Sequence, residues 1–121
     1  MCIRDRFHTQ EDIIRALSEK EDCLIVGRCA NHILSDVPHV LRVCISAPYA
    51  YRVDAIMERA DIDRSKAASL VKKTDKQRRD YYEHYTGQNW LDLSQYDICL
   101  DSSRLSEKQI ITTLAALYET L

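Results

Sequence analysis

Apolar positions along the chain fall into blocks that switch between two spacings. Thr9 followed by Asp12 reads as a helix start, with an acidic residue in the first turn. Ile13, Ile14 and Leu17 then recur at helical spacing through about Glu19. Cys23-Leu24-Ile25-Val26 is a short continuous apolar run ending at Gly27, the pattern of a strand buried on both faces. Ala30 to Leu34 predicts a short helix, and Val40 to Ile45 a second strand. Pro48 suits the first turn of a helix striped by Tyr49, Val53, Ile56 and Met57. Asp63 is placed to cap a longer helix from about Arg64 to Tyr85, with Ala67, Leu70, Val71 and Thr74 inward and Gly87 just past its end. Ile98-Cys99-Leu100 reads as a third strand closed by Asp101-Ser102-Ser103. Ser106 with Gln109 forms a capping-box pattern for a last helix, with Ile110, Ile111, Leu114 and Leu117 inward.

Strands alternating with helices predict an α/β domain, a parallel sheet flanked by helices. At 121 residues the chain has room for one such domain. A composition of 45% apolar and 30% charged residues is ordinary for a globular protein. No apolar run approaches the roughly 20 residues that span a bilayer. A net charge of −2 gives no global pull toward nucleic acid or membrane, so any anion site must be local. Five cysteines without a Cys-x-x-Cys pair suggest neither a disulfide framework nor a zinc site. Cys23, Cys44 and Cys99 sit in strand-like runs, which predicts reduced core thiols in a cytoplasmic protein. Residues 1–6, Met-Cys-Ile-Arg-Asp-Arg, resemble a translated transposase adapter, which would make them a non-native scar with the domain proper over 7–121.

In open parallel sheets, ligands bind beyond the carboxyl ends of the strands. Arg28 follows a predicted strand immediately, beside Gly27, which lets a ligand approach. It suits either a phosphate fork or a structural ion pair. Residues 72–79, Lys-Lys-Thr-Asp-Lys-Gln-Arg-Arg, form a basic run on the long helix. Asp75, Arg78, Arg79 and Tyr82 share one face of it, either to hold a polyphosphate or as a solvated face with local ion pairs. Tyr81, Tyr82, Tyr85 and Trp90 could stack on a base or anchor the helix to the core. His8, His32 and His39 show no metal-ligand spacing.

Taken in order, the segments 24–30, 72–78, 81–82, 85–87, 90 and 96–103 resemble the successive motifs of the cytidylate kinase-like family, a branch of the P-loop nucleoside monophosphate kinases. The resemblance implies part of a P-loop NTPase three-layer fold with a helical lid at about 64–90. It implies transfer of the terminal phosphoryl group of ATP to a nucleoside monophosphate, with ATP and Mg²⁺ used by the full-length parent. Arg28 matches the arginine that holds the acceptor phosphate, with Gly27 beside it. Arg78, with Arg79 second, matches the lid arginines that clamp the transferring group, and Asp75 would orient them. Asp101 and Ser102 match the aspartate-serine ending the last strand, a structural or base-proximal position, and Tyr82 completes the substrate-binding set. Phosphoryl transfer needs positioned positive charge more than a nucleophilic side chain, so the absence of a triad does not argue against it.

Two departures qualify the resemblance. Cys29 stands where true cytidylate kinases carry an aspartate near the acceptor nucleoside, and a thiol cannot accept from a ribose as a carboxylate does. The family also opens with a strand, a glycine-rich loop and a helix that cradles the ATP phosphates. The glycines here are Gly27 and Gly87. The sequence therefore predicts a carboxyl-terminal portion of a longer protein, inactive by itself and poorly stable or self-associating through open strand edges. Two rival functions remain: a non-catalytic nucleotide- or phosphate-binding module, and nucleic-acid binding through residues 72–79, which the net negative charge and the strand-helix order disfavour.

Overall fold

The computed structural model describes residues 3–121. Met1 and Cys2, the start of the adapter-like stretch, lie outside the described residues. In chain order the elements are α1 (Ile3–Lys20), α2 (Ala30–Ile33), β1 (Val43–Ser46), α3 (Tyr49–Ala60), α4 (Arg64–Thr86), a 3₁₀ turn (Leu93–Gln95), β2 (Ile98–Asp101) and α5 (Glu107–Tyr118). β1 and β2 pair in parallel, Val43 opposite Ile98 through Ser46 opposite Asp101. The molecule is thus a small two-stranded parallel sheet flanked by helices.

The helix ends follow from local chemistry. The Asp63 carboxylate accepts from the Lys66 amide at 2.9 Å, satisfying one of the donors a helix start leaves free. Gly87 closes α4 in the left-handed conformation, φ +68°, which costs a glycine nothing. Ser106 and Gln109 make the predicted capping box: the Gln109 amide donates to Ser106 Oγ at 3.1 Å, and the Ser106 amide to Gln109 Oε1 at 2.8 Å.

Two small cores hold the helices. One joins α3 to α4 through Val53, Ala67 and Val71. The other gathers Phe7 and Ile14 of α1, Cys29, Ala30, Ile33 and Leu34 around α2, and Tyr82 of α4. Tyr85 stacks on Phe7 at 4.3 Å between ring centroids, and Tyr81 and Trp90 pack on the same cluster. The aromatic segment therefore anchors the end of α4 to the core. A phenylalanine buried this way contributes on the order of 2–3 kcal/mol.

Several expectations are corrected. α1 does not start at Thr9 but runs from Ile3. The apolar run at Cys23–Val26 is not a strand: residues 22–26 are irregular, with Leu24 92% and Val26 84% exposed. A strand needs a neighbour to satisfy its backbone, and among the described residues only β1 and β2 pair as strands. Cys23 is accordingly exposed, as is Cys99, and the buried thiol is Cys29. Val40 and Leu41 precede β1 without joining it, and Leu70 and Ile111 are exposed. A groove of about 460 Å³ lies between the sheet, α3 and α5, lined by Ile45, Tyr51, Ser102, Leu105, Ile110 and Leu114 among others. No described helix is long and apolar enough to cross a membrane.

Candidate functional site

Both strands end at the same place, and their terminal loops are tied together. The Ser102 amide donates to the Ser46 carbonyl at 2.9 Å, and Ser102 Oγ donates to it at 3.2 Å. Asp101 turns inward on its own loop: its carboxylate accepts from the Ser103 amide at 2.8 Å and the Ser103 hydroxyl at 2.6 Å. Those bonds hold its pKa below the usual carboxylate range. Asp101 is thus an acceptor that shapes the strand end, and Ser102 reaches the rim of the apolar groove.

The next residue along, Ala47, leads to an arginine that sequence reasoning missed. Arg52 sits on α3 and donates through Nε to the Ala47 carbonyl at 3.0 Å. Its Nη1 lies 2.8 Å from both carboxylate oxygens of Asp75 on α4. The expectation that Asp75 orients Arg78 or Arg79 is therefore corrected: its partner is Arg52, brought across by the packing of α3 on α4. The Arg52–Asp75 pair fixes the loop after β1 to the long helix. Nothing in the hydrophobic pattern marks Arg52, since it falls on the polar side of an amphipathic stripe.

Further along α4, Arg78 and Arg79 project into solvent. Arg79 lies 3.8 Å from Asp80, which is also gripped by Lys76 at 2.6 Å. Arg78 makes no ion pair among residues whose side chains are described. Tyr82, on the same face, is buried at 6% exposure, and its hydroxyl accepts from Asn31 Nδ2 at 3.0 Å. Burial pushes the phenol up, partly offset by that hydrogen bond. Tyr82 therefore braces the stripe from beneath, against the residue that follows Ala30.

Gly27, Arg28 and Cys29 all lie at positive φ, +71°, +61° and +59°. For the two non-glycine residues this costs roughly 1–2 kcal/mol each. The turn feeds α2, whose Ile33 amide bonds to the Cys29 carbonyl at 2.9 Å. Cys29 faces the core and burial pushes its thiol up to about 11, while Arg28 faces outward. Arg28 makes no ion pair among the residues whose side chains are described.

The strand-end set Asp101–Ser102 is thus linked through Ser46–Ala47 and Arg52 to Asp75 on α4, while Arg28 stands on the turn before α2. Several other arginines are neutralised in place. Arg42 holds Asp97 in a two-point contact, 3.0 and 3.3 Å, at the start of both strands, and Arg64 pairs with Asp54 at 2.7 Å. Among the described residues no three His, Cys, Asp or Glu side chains gather to hold a metal.

Comparison with known proteins adds three findings. The model of the cytidylate kinase-like family matches residues 2–104. A cytidylate kinase of Methanosarcina acetivorans is 30% identical over 117 residues, covering 94% of this chain and 58% of that protein. One of Methanopyrus kandleri is 29% identical over 115 residues, 88% of this chain and 60% of that protein. The chain therefore spans somewhat over half the length of these curated relatives. A crystal structure of an uncharacterized protein from Eubacterium ventriosum superposes with a TM-score of 0.88 at 30% identity, covering all of this chain and 69% of that one.

Proposed function

Because the chain belongs to the cytidylate kinase-like family, we propose that it is part of a nucleotide phosphotransferase that moves the terminal phosphoryl group of ATP onto a nucleoside monophosphate, on a P-loop kinase fold. The observation that carries this reading is the state of Arg28 and Arg78. Both are exposed, and neither has a carboxylate partner among residues with described side chains. A guanidinium without a carboxylate partner is available to a phosphate.

In this reading Arg28 forks onto the acceptor phosphate, and Arg78, with Arg79 second, meets the phosphoryl group in transit. Their work is charge neutralisation and alignment, the main demands of the reaction. Asp75 serves indirectly, holding Arg52 and with it the loop after β1. Asp101 and Ser102 border the nucleoside side, and Tyr82 keeps the arginine stripe rigid. A chain whose glycines are Gly27 and Gly87 offers no glycine-rich loop of its own to cradle the ATP phosphates. Among the described residues no three His, Cys, Asp or Glu side chains gather as a ligand set for Mg²⁺. Cys29, buried where cytidylate kinases carry an aspartate, leaves the acceptor base open.

The test couples ADP release to a panel of CMP, dCMP and other monophosphates. The 121-residue chain should show negligible turnover. Calorimetric titration with the best-binding monophosphate should then lose about tenfold or more in affinity on Arg28→Ala, the equivalent of one charge-assisted contact. Unchanged affinity in both Arg28→Ala and Arg78→Ala would sink the assignment.

A further inference from the structure

The parallel register sets Cys44 of β1 directly opposite Cys99 of β2. Neighbouring strands run about 4.8 Å apart, and residues in register project to the same face. That spacing lies inside the roughly 4.4–6.8 Å window between the α-carbons of a disulfide. Both thiols are free, with Cys99 exposed and Cys44 half-buried. Burial pushes the Cys44 thiol up, and Cys99 adds to this through its charge and a hydrogen bond, so the sulfurs are close. The other described cysteines do not compete. Cys29 is 5% exposed and packed in the α1–α2 core. Cys23 lies in the irregular run between α1 and α2, outside the sheet that carries the pair.

We propose that Cys44 and Cys99 form a dithiol site that reacts with small-molecule disulfides of the glutathione type and closes into a reversible cross-strand disulfide. The exposed Cys99 thiolate attacks one sulfur of the small disulfide, forming a mixed disulfide and releasing one thiolate. The Cys44 thiolate then attacks the Cys99 sulfur and expels the second. Two protein S–H bonds and one small disulfide become one protein S–S bond and two free thiols, and the two protons pass to the released thiolates. The same exchange run backwards by excess small thiol reopens the bond. It would staple β1 to β2, the sheet that carries both strand-end loops. The site is independent of the phosphotransfer reading.

The test treats the 121-residue chain with oxidised glutathione, blocks remaining thiols, and maps tryptic peptides without reduction. The expected result is a linked pair of residues 43–52 and 80–104 that separates on adding dithiothreitol. Cys44→Ser should instead keep glutathione on Cys99, and Cys99→Ser should leave Cys44 unmodified. Phenylarsine oxide, which needs two adjacent thiols, should give a one-to-one adduct on the unsubstituted chain that is lost in either variant. The proposal is overturned by glutathione persisting on Cys99 of the unsubstituted chain, by a bridge mapping to Cys2, Cys23 or Cys29, or by no reaction at either position.

Discussion

Removing the Asp97 carboxylate should cost about twice as much stability as removing the Arg42 guanidinium that faces it. Asp97 accepts three hydrogen bonds, from the Arg42 amide at 2.8 Å, from Nε at 3.3 Å and from Nη2 at 3.0 Å. The guanidinium share is a two-point ion pair on side chains 24% and 37% exposed. Solvent screening therefore holds it near 1 kcal/mol. The amide share survives in Arg42→Ala and is lost in Asp97→Ala, and is worth about 1 kcal/mol more. Expected costs are thus about 1 kcal/mol for Arg42→Ala, about 2 for Asp97→Ala and about 2 for the double variant, a coupling of about 1 kcal/mol. Urea unfolding followed by far-ultraviolet circular dichroism at low protein concentration measures all four. The pH dependence has a fixed sign. Hydrogen bonds to the Arg42 side chain and amide hold the Asp97 pKa below its ordinary value of about 3.9. Its contribution is complete above that ordinary value and disappears as pH falls through the depressed one. Equal costs for the two single variants, or a coupling under about 0.3 kcal/mol, would refute the reasoning.

Other outcomes follow from geometry already described. Ser106→Ala should lose about 1 kcal/mol by opening the α5 capping box, read as a lower urea midpoint with an unchanged slope. Ala67 is fully buried between α3 and α4, so Ala67→Leu should overpack that contact and cost about 1–3 kcal/mol by the same measurement. Leu24 and Val26 lie open beside an unpaired stretch of backbone, which predicts association that grows with concentration. Sedimentation velocity should show a shift toward monomer on Val26→Lys, and a chain already monomeric at high concentration would contradict this.

Legibility in the sequence tracked how local each determinant is. The caps at Asp63, Gly87 and Ser106 were readable because their partners lie within four residues. The strand at Ile98–Asp101 was readable because an apolar run met a polar turn and found a neighbour in β1. The run at Cys23–Val26 carries the same signal but pairs with no described strand, and a strand is a property of two segments. The ion pairs were hidden for a related reason. Arg52–Asp75 and Arg42–Asp97 join residues far apart in the chain, and a lone arginine on a polar face looks alike whether paired or free. A weak signal did exist for the second pair: opposite charges stand just ahead of two strands that run in parallel. The candidate site was legible in its residue types, while the partners that decide which of those residues are spoken for were not.

The long helix α4 is held at two places. Near its start, Ala67 and Val71 are wedged against Val53, and toward its far end Tyr81, Tyr82 and Tyr85 are embedded with Phe7. Arg78 lies between these moorings, as a plank lies between two trestles. A beam supported at both ends tilts only if one support yields. The residues of the two cores that hold α4 in place therefore also limit how far the charges between them can be displaced.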